Sequence, residues 1–256
     1  MPTFFPRLAT ACIVGGLALG VASPALAQAD ESADTGDVAS RCQAQIDRRL
    51  DDLAAAQARA AGVDALTDTH ESTINGIIDS TEAGLIDQSA AIAATTDRAE
   101  LASLCAEIAT EFRVYLVVLP QTHLTVSADR VDLRAQGRKL GDRHGRAVAR
   151  GDELLAHLDE AIAAAAEAGA DVTAAEALRD DAAVHLASAS AGVAGAADQV
   201  LTVTPSSWND GDGQSVIENT RAAVRTAHAE IKDGIEDGHA AIEAVRAALD
   251  AVGGDA

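Results

Sequence analysis

Apolar residues recur three and four positions apart along nearly the whole chain, and many of them are alanine. That spacing lines one face of a helix and cannot line one face of a strand. About a quarter of the residues are alanine, several times ordinary usage, while aromatics make up 2 %. A sandwich or barrel would need more aromatic and β-branched residues. The leucine, isoleucine and valine content argues against a disordered acidic chain. The expected fold is therefore all-α: an extended bundle, or coiled-coil-like array, of long antiparallel helices. Small residues let helix backbones approach closely but each removes little apolar surface from water. Such an array should be slim.

The first 27 residues read as a secretory signal peptide. Arg7 precedes an uncharged run from Leu8 to Ala22, too short to span a bilayer comfortably, and Ala25-Leu26-Ala27 supplies small residues for cleavage. The expected organisation is a signal peptide at 1–27 and a flexible mature N-terminus at 28–36. A disulfide-linked helical region at 37–126 and a long-helix region at 127–256 follow, the latter broken by a loop at 204–213. The protein is expected to be secreted, or associated with the cell surface.

After cleavage Cys42 and Cys105 remain. An exported chain with two cysteines suggests one disulfide, and helix register bears on it. Val38, Cys42, Ile46, Leu50 and Leu53 mark a first helix, ended by Gly62. Ile74, Ile77, Ile78, Leu85 and Ile92 mark a second. Asp97 and Glu100 stand in capping-box spacing before a third, carried by Leu101, Leu104, Ile108, Phe112 and Tyr115. If the three run up, down and up, both cysteines lie at one level on apolar stripes. Two buried free thiols are the alternative.

The remainder reads as further helices: one from about Ala128 to Ala168, one opened by a capping box at Thr173 and Glu176 and running to Val200, and one from about Gln214 to Val252. Segment 112–126 differs from everything else. Val114 to Leu119 is apolar on every face, which predicts a helix buried all round and bent or ended near Pro120. Either it is core, or Phe112, Tyr115, Val117 and Val118 form an apolar docking surface.

The net charge is -21, yet residues 127–150 carry seven basic side chains against three acidic ones. Arg134, Arg138, Lys139, Arg143 and Arg146 are spaced to form a ridge on a helix. Two readings stand. The ridge is satisfied by the protein's own acidic helices, or it binds an anionic envelope polymer or membrane surface. Nucleic acid is not an expected partner, because phosphate repels so acidic a chain.

Catalytic and metal patterns are missing. His70-Glu71 has isoleucine where a zincin needs its second histidine, and no two histidines are four apart. There is no Gly-x-Ser-x-Gly, Cys-x-x-Cys or phosphate-binding loop. His185, on an apolar helix face, reads as a packed or half-exposed histidine. No catalytic residue, metal or cofactor is expected, and the chain is not read as an enzyme. The expected role is contact with a cell-envelope protein or polymer. The alternative is a carrier that holds a lipid or other amphiphile between helices.

Arg113-Val114-Tyr115 with Leu119-Pro120-Gln121-Thr122, then Pro205, Trp208 and Thr220-Arg221-Ala222-Ala223-Val224-Arg225, resembles a group of exported, Ala-rich long-helix proteins of actinobacteria. The resemblance spans most of the mature chain. It implies an exported long-helix fold and carries over no activity and no site residues.

Overall fold

The computed structural model describes residues 35–136 and 151–254. The signal peptide and most of 28–36 lie outside the described residues, as do Arg138, Lys139, Arg143 and Arg146. Every regular element among the described residues is helical.

α1 (Thr35–Ala61), α2 (Asp68–Ala94) and α3 (Arg98–Thr110) follow the apolar spacing read from the sequence. Ile46, Leu53, Ile74, Ile78, Leu85, Ile92 and Ile108 are almost fully buried in their shared core. Gln43 bonds Ser89 while Gln57 bonds Asp79, so α1 and α2 run in opposite directions. Gln88 reaches Leu104 and Glu107, and Gly84 lies beneath the Phe112 ring, so α3 reverses again. α1 and α3 are thereby parallel, and a disulfide joins Cys42 to Cys105 with 5.6 Å between their Cα atoms. The Asp97 carboxylate caps α3 by accepting from the Ala99 and Glu100 amides. Glu100 does not complete the expected capping box; it accepts from the Thr95 hydroxyl instead.

Segment 112–126 is not one helix buried on all sides. Arg113 sits in the left-handed region, with φ 42° and ψ 36°. A π-helical turn, Val114–Val118, follows, closed by the Leu119 amide donating to the Val114 carbonyl. α4 (Leu119–Gln136) then begins, with Pro120 in its first turn, where a missing N–H costs nothing. Pro120 thus starts a helix. The wider turn buries Val114, Val117 and Val118 but leaves Tyr115 and Leu116 exposed.

The helix expected over 128–168 is instead the end of α4 and a separate α5 (Gly151–Glu167). α6 (Thr173–Val193) stops where Gly195 adopts φ 70°, and α7 (Ala196–Leu201) carries Val200. Thr173 does not cap α6; its amide and hydroxyl both donate to the Asp171 carboxylate. The loop at 204–213 contains a one-turn α8 (Pro205–Asn209), opened by a Thr204–Ser207 capping box. α9 (Asp212–Gly254) already begins inside that loop and has 43 residues, a length of about 65 Å at 1.5 Å rise per residue.

α6 lies along α9 in the opposite direction. Gly192 is beside Ala227, and Gly234 is beside Ala182, His185 and Leu186. Small residues on both helices permit this close approach, as the alanine content implies. Ala128, Val131 and Ala135 of α4 share a core with Val224, Ala227 and Ile231, whereas Leu154 of α5 packs on Gly238 and Ile162 clusters with Val245. α4 and α5 therefore occupy successive stretches of α9. Their junction is Gly151, where a Cβ would overlap the Ala135 carbonyl oxygen and lie 3.0 Å from that of Arg134. Backbone cannot yield as a side-chain tip can. Gly151→Ala is expected to destabilise the fold by about 1–3 kcal/mol, as overpacking does. A urea midpoint equal to that of the native protein would refute the close junction.

α4 is the central element, with ten of its 18 residues buried, among them Gln121, Thr122, Thr125 and Asp129. Val126 belongs to the α1–α3 core, Leu124 packs with Val200 and Ile217, and Ala128 begins the α6–α9 core. The boundary expected at 126/127 falls inside this helix, and the chain from Thr35 onward forms one unit.

Candidate functional site

The π-helical turn is where the backbone departs most from ideal geometry. A non-glycine residue in the left-handed region costs on the order of 1–3 kcal/mol and persists only when neighbours hold it. The Arg113 guanidinium is tied across to α8, donating from Nε and Nη2 to Asn209 Oδ1 at 2.9 and 2.6 Å. The Tyr115 hydroxyl donates to Asp52 at 2.8 Å, and its ring stands 5.2 Å from the Arg49 guanidinium. Partial burial, then the Asp52 carboxylate, pushes the Tyr115 phenol above its usual range. The four expected docking residues therefore do not share one exposed patch. Val117 and Val118 are core, Phe112 is half-buried and Tyr115 is held against α1.

Three of the four do line one cleft. It has a volume of about 570 Å³ and lies between α2, the π-helical turn and the α7–α8 connection. Ile77, Phe112, Val117, Val118, Leu201 and Val203 give it apolar walls, and Thr73, Ser80 and Thr204 bring hydroxyls. Gly76 also lines it, and a Cβ at that position would meet nothing within 4 Å. Gln121 completes the wall. Its side chain is 1 % exposed, and Nε2 donates to the Val200 and Val203 carbonyls at 2.8 and 2.7 Å. Its Oε1 is buried and has no hydrogen-bond partner among the described residues. An amide oxygen so buried and unpaired costs about 1–3 kcal/mol until something donates to it.

A second polar cluster ties α2 to α4 and α7. His70 Nδ1 lies 2.8 Å from Asp129 Oδ2, and Nε2 lies 3.1 Å from Asp198 Oδ1. The Thr67 amide donates to Asp129 at 3.0 Å, and the Thr67 hydroxyl caps α2 by accepting from the His70 amide. Burial opposes the charge on His70, but the two carboxylates outweigh it and raise its pKa. Between α6 and α9, His185 lies 2.8 Å from Glu230 and 3.5 Å from Asp237. The Glu230 hydrogen bond raises its pKa as well. His185 is thus the half-exposed histidine expected from its helix face, now with partners.

The sequence reading missed Asp129 and Gln121. Their signal was present: each is polar at a position where α4 is otherwise apolar. Of the basic ridge, Arg134 is described. It is exposed and shares a groove with His228, Lys232 and His239. Burial, then the Arg134 charge, lowers the His228 pKa. Among the described residues no group of three or more His, Cys, Asp and Glu is placed to hold a metal, and no helix is long and apolar enough to cross a membrane. Compared with protein-family models, curated proteins and solved structures, the chain matches none.

Proposed function

We propose that the protein is an exported, non-catalytic binding protein that carries a small amphiphile between its helices. In this reading the long helices form an extended antiparallel array. The observation that supports it is an apolar cleft of about 570 Å³ edged by the Thr73, Ser80 and Thr204 hydroxyls. The volume lies within the range of small-molecule sites. The apolar walls would bury a short chain, and the Thr73, Ser80 and Thr204 hydroxyls would bond an uncharged hydroxyl or amide head. The leader-like first 27 residues and the resemblance to exported long-helix proteins support export. Contact with an envelope protein or an anionic polymer is the second reading. It draws on the groove that Arg134 shares with His228 and Lys232.

The carrier reading is tested with 1-octanol as probe and Gly76→Leu as the blocking variant. Leucine at 76 has open space in which to project over the cleft. It also replaces a mid-helix glycine, a gain of about 0.5–1 kcal/mol, so lost binding cannot be ascribed to unfolding. Octanol binding to the native protein, weakened about tenfold or more in the variant, a loss of 1.4 kcal/mol, is the expected result. No octanol binding, or equal binding by both proteins, would overturn the reading. Native mass spectrometry of protein from its own culture medium would then identify the natural cargo.

A further inference from the structure

A second cleft opens on the other side of the same chain segment. It lies between the C-terminal end of α1 and the first turns of α4 and has a volume of about 430 Å³. Ala56, Ala60, Val63, Leu119 and Val126 give it an apolar floor. Around that floor stand Arg59, His123 and Arg130, with no carboxylate among the lining residues. Arg59 and Arg130 make no ion pair or hydrogen bond to any side chain of the described residues. The carboxylate next in sequence, Asp129, is engaged by His70 and the Thr67 amide.

We propose that this cleft binds a small anionic amphiphile: a carboxylate head held by Arg59 and Arg130, with its alkyl chain on the floor formed by Ala56, Ala60, Val63 and Val126. Three points carry this. Two guanidiniums from different helices, neither paired with a side chain of the described residues, border a single apolar cavity. Guanidinium presents paired N–H donors that match a carboxylate, and such charge-assisted bonds are roughly twice as strong as neutral ones. With a net charge of -21 the chain as a whole disfavours anions, so an anion is held only where cations are gathered locally. His123 adds a third donor at the rim. The ligand differs from that of the Gln121 cleft in its head group, and neither site depends on the other.

Octanoate, which has the same chain length as the octanol probe, tests the proposal on the full mature protein at low salt. Arg59→Gln and Arg130→Gln change exposed side chains, so both variants should fold, as far-ultraviolet circular dichroism would verify. Arg225→Gln removes one positive charge from an exposed position on α9 and serves as the control. Titration calorimetry is expected to show octanoate binding that weakens about tenfold in each cleft variant, in line with loss of a hydrogen bond to a charged group. Arg225→Gln should bind as the native protein does, and inorganic phosphate alone should not bind. The proposal is overturned if octanoate does not bind, or if the Arg59→Gln/Arg130→Gln double variant binds it normally. It also falls if Arg225→Gln weakens binding equally, or if phosphate binds as well as octanoate, since the apolar floor would then contribute nothing.

Discussion

Replacing both Cys42 and Cys105 by serine is expected to lower the unfolding free energy by about 4 kcal/mol, the chain-entropy value for a closed loop of roughly 64 residues. The bond spans a sequence separation of 63 and joins α1 to α3, which are parallel and have α2 between them in sequence. Without it the unfolded chain recovers the freedom of the whole α1–α3 hairpin pair. Cys42 is 5 % exposed, so a serine hydroxyl there adds a desolvation cost. Urea unfolding of the double variant, and of native protein with and without reductant, measures the effect. A loss under about 1 kcal/mol in both comparisons would show that the bond constrains little.

The second large effect centres on Asp129. Asp129→Ala removes the acceptor for both the Thr67 amide and His70 Nδ1, leaving His70 with only the exposed Asp198. Breaking a largely buried, hydrogen-bonded pair at one partner is expected to cost about 2–3 kcal/mol. A pH signature accompanies it. Because the folded His70 pKa is raised, its contribution is fully present below the ordinary histidine value, near 6.5. It is lost as pH rises through the raised value. His185 has the same sign. His228, whose pKa is lowered by burial, has the opposite sign. Native protein should therefore lose stability as pH rises above the ordinary histidine value, about 6.5, and His70→Gln should flatten that slope while leaving the His185 part in place. A His70→Gln variant whose melting temperature follows pH as steeply as the native protein's would rule out the latch.

The helices were legible because each depends on neighbours three and four residues away. Ile46, Ile78 and Ile108 fall where their periodicity places them. The pairing of Cys42 with Cys105 followed from the same periodicity, since two registered stripes on parallel helices leave little choice of level. Asp97 capped its helix as expected because a cap is also local. Thr173 did not, since its own amide and hydroxyl both donate to Asp171, two residues back. The π-helical turn was not legible. Val114–Val118 suits an ordinary helix equally well, and the Arg113–Asn209 contact beside the wider turn joins residues 96 apart. The clefts were illegible for the same reason: Gln121, Gly76 and Val203 come from three separate elements.

The sequence by itself determined that the described residues are helical, and where α1, α2 and α9 begin and end to within about two residues, because intrahelical hydrogen bonds and the 3.6-residue repeat are properties of short segments. Only the tertiary structure decided which faces meet. Alanine-lined faces resemble one another, so their pairing is selected by sparse, specific contacts: Leu154 on Gly238, the Cys42–Cys105 bond, and His70 between Asp129 and Asp198. Those contacts join residues far apart in the chain, and the two clefts are likewise lined by residues of separate elements.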